Sequence, residues 1–254
     1  MSAAVAESPV LEVAGVRKAF GGVHAVDDVG LALPEGEIRA LIGPNGAGKT
    51  TFFNILTGQL AADAGTVRFR GRSIAGLSPW VIWRLGISRT FQITATFATL
   101  SVLENVQVAR LSHVRRSRGL FRTARRFEVA PSMVLLEQVG LSDQRFRPAG
   151  VLAYGDLKKL ELAIALANDP ALLLLDEPTA GMASAERGAL MALTARIARD
   201  RALTVLFTEH DMDVVFAIAD SVMVLHQGRV IAEGAPADVR ADRQVQAVYL
   251  GEDA

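Results

Sequence analysis

The octapeptide Gly43-Pro44-Asn45-Gly46-Ala47-Gly48-Lys49-Thr50 fits G-x-x-x-x-G-K-[ST] at every fixed position. Such a loop is built to hold phosphate. Its glycines let backbone N–H groups turn inward around a β-phosphate, a helix starting near Lys49 points its positive end at the anion, and Lys49 adds a full charge. Thr50 then offers a hydroxyl to Mg²⁺, and Thr51 joins the nucleotide-binding set. A Gly-rich turn without a ligand is the plain alternative, and the position between a strand-like and a helix-like segment argues against it.

A second constellation lies downstream. Leu172-Leu173-Leu174-Leu175-Asp176-Glu177 is an unbroken apolar run closed by two acids, as expected of a strand buried on both faces whose tip reaches the site. This is the Walker B arrangement. Asp176 is placed to hold Mg²⁺, directly or through water, and Glu177 to polarise the attacking water, because phosphoryl transfer needs chiefly positioning and charge stabilisation. Without the upstream loop the same run reads equally well as a core strand followed by a solvated acidic turn. These two features alone also suit a GTPase or a small-molecule kinase.

The elements around them alternate. Glu37 to Ile42 is followed by Lys49 to Thr57, Ala171 to Leu175 by Ser184 to Arg199, and Leu203 to Phe207 by Asp211 to Ala219, each a β-like run before a helical pattern. That order predicts a mainly parallel sheet covered by helices, an α/β fold with a phosphate-loop NTPase core. Val10 to Val13, Val23 to Leu33 and Thr66 to Arg70 read instead as strands of an N-terminal antiparallel flank. From about Ser101 to Gly140 the pattern is helical, opened by a Ser101/Glu104 capping box and stopped at Gly140. The chain is thus expected to be one domain, 1–254, with a helical subdomain at about 93–165 inserted in the core. A hairpin from Ser221 to Ala232, turning near Gln227-Gly228, and a final helix close it.

Composition narrows the class. Of 254 residues 50% are hydrophobic, enough to fill a sizeable core. Lys plus Arg and Asp plus Glu number 27 each, so no net field draws the molecule to nucleic acid or acidic lipid. There are no cysteines, which excludes a disulfide framework and fits a reducing compartment. Met1 to Pro9 do not read as a secretory signal. The most apolar stretch, Leu160 to Leu175, is broken by Glu161, Asn168, Asp169 and Pro170, short of the roughly 20 apolar residues a spanning helix needs. If the protein works at a membrane, another chain does the crossing. Arg110, Arg115, Arg116, Arg118, Arg122, Arg125 and Arg126 crowd the helical insert. A solvated helical face is favoured over lipid headgroups or an acidic partner, and the aromatic interleaving of nucleic-acid binders is missing.

Leu152-Ala153-Tyr154-Gly155-Asp156-Leu157-Lys158-Lys159 stands between the two motifs and opens an amphipathic helix, where ABC ATPases carry their signature sequence. The order of parts resembles that family along nearly the whole chain, and the resemblance implies ATP and Mg²⁺ as cofactors and ATP hydrolysis as the reaction. It also implies further roles. Gln92, in Arg89-Thr90-Phe91-Gln92, looks like the glutamine that senses Mg²⁺ and water and links the site to the helical insert. His210, in Thr208-Glu209-His210-Asp211, resembles the switch histidine that bonds the γ-phosphate. Phe20 matches the aromatic that stacks on adenine, with core packing as its rival. Ala153, Tyr154, Gly155 and Asp156 would face ATP held by a partner cassette. Two departures fall there: Ala153 stands where the family has a donating serine, and Asp156 puts a negative charge where a glutamine is usual. The segment Ala180 to Glu186 also has Ala183 where a D-loop carries an acid or amide. The implied consequence is a slower site on the partner.

Within the family the chain looks most like the ATPases of bacterial branched-chain amino acid importers. Lys18 to Val26, Ile42 to Gly58, Leu85 to Val108, Tyr154 with its basic pair, and Tyr249-Leu250-Gly251-Glu252 carry that likeness. It implies a second ATPase subunit in a heterodimer, a homodimer being the alternative, with two membrane-spanning permease subunits and, indirectly, a periplasmic solute-binding protein. No nucleic acid is implied. The place is the cytoplasmic face of the inner membrane, peripherally bound. Branched-chain amino acids, amides, urea and aromatic acids are the solutes of such importers. Ile93 to Leu100, uncharged and directly after Gln92, is the expected groove for a coupling helix of the channel. A soluble ABC ATPase acting on DNA or ribosomes is the rival class.

Overall fold

The structure is a computed structural model in which residues 9–90, 96–114 and 128–250 are described. In chain order they form β1 (Leu11–Phe20), β2 (Val23–Leu33), β3 (Ile38–Ile42), α1 (Lys49–Leu56), β4 (Ala64–Phe69), β5 (Arg72–Ser73), α2 (Pro79–Leu85) and β6 (Ile87–Thr90). Three helices follow, α3 (Val102–Val114), α4 (Val129–Gln138) and α5 (Tyr154–Ala165). Strand and helix then alternate through β7 (Leu172–Asp176), α6 (Ser184–Asp200), β8 (Thr204–Thr208), α7 (Met212–Ile218), β9 (Ser221–His226), β10 (Arg229–Gly234), α8 (Pro236–Ala241) and α9 (Arg243–Leu250).

Strands β10-β9-β3-β8-β7-β6 make one sheet, parallel except for β10, and β2-β1-β4-β5 make a second, antiparallel one. Alternation along each strand of the large sheet feeds two cores. Ile38, Ala40, Ile42, Leu173, Leu175, Val205 and Phe207 pack with helices, among them Val106, Leu136 and Leu160 of α3, α4 and α5. Leu41, Leu172, Leu174, Leu206 and Leu225 pack on the other side with Phe52 and Phe53 of α1 and with the antiparallel sheet. A strand apolar on both faces is what this burial demands, and β7 is buried at all five positions.

Local signals hold at the ends. Ser101 N donates to Glu104 Oε2 (2.9 Å) and Glu104 N to Ser101 Oγ (3.2 Å), a reciprocal capping box ahead of α3. After α4, Gly140 takes φ 73° while Leu141 N donates to Leu136 O (2.8 Å) and Gly140 N to Glu137 O (3.0 Å), the six-to-one closure a left-handed glycine permits. Gln227 and Gly228, at φ 47° and 79°, turn the β9–β10 hairpin.

Three elements differ from expectation. β1 runs on to Phe20, because register breaks after Val13, Val16 and Lys18 interrupt the alternation by which a strand is recognised. β6 has no strand-like pattern in the sequence: three of its four residues, Ser88, Arg89 and Thr90, are polar although the sheet surrounds them. The single closing helix is two short ones, α8 and α9, parted at Asp242. Replacing Ser101 by Ala should lower stability by about 1 kcal/mol, the usual cost of an N-cap, measured by urea unfolding.

Candidate functional site

The parallel register brings the carboxyl ends of β3, β6, β7 and β8 to one edge, with Ala40 beside Phe207, Asp176 beside Thr208 and Thr90 beside Leu175. From Ile42 the chain turns through Gly43, Gly46 and Gly48 (φ 153°, 78° and 105°) into α1. A Cβ on Gly43 would lie 2.0 Å from the Leu225 carbonyl oxygen, and one on Gly48 2.1 Å from that of Ala25, so backbone proximity requires both glycines. Gly48 gives α1 no side-chain cap and its first turn has no acid, which leaves the positive end open to an anion. Lys49 is buried, and its Nζ donates to the carbonyls of Gly43 and of Pro44 (3.0 Å). Asn45, Gly46, Ala47, Gly48, Lys49, Thr50 and Thr51 line one open cavity of about 180 Å³.

Glu177 lines the same cavity from the end of β7, in the left-handed region at φ 48°. His210 Nε2 is 2.8 Å from Glu177 Oε1. Thr208 ties the two acids together: its hydroxyl donates to Asp176 Oδ1 (3.0 Å) and accepts from Glu177 N (3.0 Å). Arg89 Nη2 lies 2.6 Å from Asp176 Oδ2, both side chains being 7% exposed. Glu209 Oε1 accepts from Thr179 N (3.1 Å) and Thr179 Oγ1 (2.6 Å), while Oε2 accepts from His210 N (3.2 Å), so the segment after β7 and the segment after β8 are fastened to each other. Arg89, Thr208 and Glu209 had no role assigned from sequence. Their motifs were visible, but which side chain turns inward is a matter of pairing between strands far apart in the chain.

Phe20 stands at the end of β1, 50% exposed, with Lys18 Nζ 5.5 Å from its ring centre, so its ring is on the surface and not in the core. Lys18 is held by Asp63 at 2.6 Å. Gln92 lies outside the described residues.

Ala153 to Asp156 do not line the loop cavity, but Tyr154 touches Ala180 in the wall of a second cavity beside Glu177. Ala153 is the N-cap of α5 and makes no side-chain cap bond. Tyr154 Oη donates to Ala180 O (2.8 Å), joining the start of α5 to the turn after Glu177. Asp156 accepts from Gln144 Nε2 (2.6 Å) and Lys159 Nζ (2.9 Å). Partial burial pushes the Asp156 carboxyl up, but those two bonds and the charges of Lys159 and Arg147 outweigh it and hold it below the usual carboxylate range.

Thr50 and Asp176 are hard oxygen donors, and no group of three or more His, Cys, Asp or Glu side chains fit to hold a metal occurs among the described residues. One or two protein oxygens completed by phosphates and water is the coordination that suits Mg²⁺ rather than a softer metal. Thr208→Val keeps the side-chain volume yet strips a bond from each acid's segment. It should cost about 1–3 kcal/mol, the penalty for unsatisfied buried polar groups, in denaturant unfolding.

The ABC transporter family model matches residues 26–180, and a model for the branched-chain amino acid ATP-binding cassette transporter matches residues 229–254. The high-affinity branched-chain amino acid transport ATP-binding protein BraF of Pseudomonas aeruginosa is 40% identical over 251 residues, covering 96% of this chain and 98% of its own. LivG of Salmonella typhimurium, named likewise, is 41% identical over 253 residues with 96% and 98% covered. Among solved structures, the ADP conformation of an ATP-binding cassette of an ABC transporter superposes with TM-score 0.83 at 30% identity, over 95% of this chain and 98% of that one. With the phosphate loop and the acid pair on one sheet edge, and likeness along nearly its full length, the chain belongs to the ABC transporter family as an ATP-binding cassette.

Proposed function

We propose that this chain is the ATP-binding and ATP-hydrolysing subunit of an importer for branched-chain amino acids or related small solutes. The observation that carries the reading is one cavity lined both by the loop from Asn45 to Thr51 and by Glu177, whose carboxylate His210 engages at 2.8 Å. Loop N–H groups and Lys49 hold the triphosphate tail. Glu177, fixed between Thr208 and His210, orients the attacking water, and phosphoryl transfer asks little more of a protein than such positioning. Gln92 is assigned to the same site, and Phe20 to adenine. Thr50 and Asp176 hold Mg²⁺, which when bound neutralises charge on the phosphate oxygens.

The signature residues Ala153 to Asp156 serve a second cassette in this reading, since they lie away from the chain's own loop cavity. Asp156 is tied to Gln144 and Lys159, so its charge is balanced locally, and the missing donor at Ala153 becomes the principal cause of a slower partner site. The assembly is a heterodimer of cassettes with two permease subunits, served by a periplasmic solute-binding protein. We take α3 to α5 as a subdomain inserted in one domain. Ile93 to Leu100, whose first three residues lie outside the described residues, is the proposed docking place for the channel, and a cavity of about 160 Å³ between α2, β6 and α5, lined by Ile82, Trp83, Ile87 and Ile164, offers a second place for it. No helix among the described residues is long and apolar enough to cross a membrane. In this reading the chain reaches the membrane's cytoplasmic face through its permease partners.

Purified with its permease partners, the wild-type chain should hydrolyse ATP in step with solute uptake. Glu177→Gln should retain nucleotide while turnover falls about 10²- to 10⁴-fold, the usual loss on removing a positioned base. Lys49→Ala should lose nucleotide binding, read by a fluorescent ATP analogue. Unchanged turnover in the first variant, or unchanged binding in the second, refutes the assignment.

A further inference from the structure

An arginine within a sheet is costly unless every donor finds an acceptor. Arg89, on the four-residue β6, finds acceptors for its two Nη groups on two different elements. Its Nη2 reaches Asp176 Oδ2 at the tip of β7 (2.6 Å), and its Nη1 reaches Asn54 Oδ1 (2.8 Å) and Thr57 Oγ1 (3.4 Å) at the far end of α1. The Phe53 ring of the same helix lies 5.6 Å from the guanidinium. α1 begins with Lys49 and Thr50. One planar group therefore spans the helix that carries the magnesium hydroxyl and the strand that carries the magnesium acid. The remaining oxygen of Asp176 is taken by Thr208, so the carboxylate is fixed from both sides. Arg89 also lines the cavity between α2, β6 and α5, one side chain away from that acid.

We propose that Arg89 is a positioning residue for the magnesium site, setting Asp176 against Thr50 by tying α1 to the end of β7. The claim rests on the Mg-nucleotide reading above. Arginine suits the task because its fork bonds two directions at once, whereas lysine offers a point charge on a flexible stem. Asn54 is the outer anchor of the same clamp and touches neither acid in the bonds described.

The test titrates Mg²⁺ against binding of a fluorescent ATP analogue to the full chain, in wild type, Arg89→Lys and Asn54→Ala. Thermal unfolding in EDTA without nucleotide serves as the folding control. Both variants should raise the half-saturating Mg²⁺ about threefold to tenfold, the worth of one hydrogen bond, while affinity in EDTA stays within about twofold of wild type. Half-saturating Mg²⁺ unchanged in Asn54→Ala overturns the proposal, as does an equal loss of affinity with and without the metal, which a purely structural clamp produces. Should Arg89→Lys fail to fold, Asn54→Ala alone decides, because it leaves the buried ion pair intact. A wild-type chain whose nucleotide binding ignores Mg²⁺ overturns the magnesium reading itself, and this proposal with it.

Discussion

A carboxylate buried at the tip of a parallel strand must be paired, and the pairing of Asp176 organises the whole edge of the sheet. One of its oxygens takes Arg89 from β6 and the other takes Thr208 from β8, the two strands that flank β7. Thr208 also receives the N–H of Glu177, which holds that residue in its left-handed conformation, and Glu177 is thereby turned toward both His210 and the phosphate loop's cavity. Losing one member leaves a buried charge uncompensated, a far larger penalty than the net worth of the pair.

The loop is constrained just as tightly, but by packing. A Cβ on Gly43 or Gly48 would clash with the carbonyl oxygen of Leu225 or Ala25, so the loop backbone lies close against the end of β9 and against β2. The antiparallel sheet is therefore part of the site: β2 supplies Ala25 to the cavity wall, and β1 ends at the exposed ring of Phe20. Behind the loop, Phe52 and Phe53 anchor α1 in the second core, so the helix end facing the anion is held by buried hydrocarbon.

The Tyr154 hydroxyl and the Glu209 carboxylate extend the same network sideways. Tyr154 fastens the start of α5 to Ala180, and Glu209 fastens Thr179, so the residues that follow Glu177 are gripped from two elements. The acid pair and the start of α5 are thereby joined through a single turn of chain.

The sequence alone determined the features that depend on neighbours within a few positions. The phosphate loop, the apolar run ending in Asp176-Glu177, the Ser101/Glu104 box, the Gly140 stop and the Gln227-Gly228 turn each have a local physical cause, and fixed spacing exposes it. The alternation of strand and helix foretold the parallel sheet for the same reason. Tertiary structure decided what depends on distant partners. β6 is a strand because its backbone pairs in parallel with β7, and its Arg89 meets an acid 87 positions away. β1 outran its visible pattern because bulges shift the register that β2 and β4 impose. The charge of Asp156, which read as a threat to a bound phosphate, is met by Gln144 and Lys159, and the choice of partner for a side chain is made only when the elements are in place.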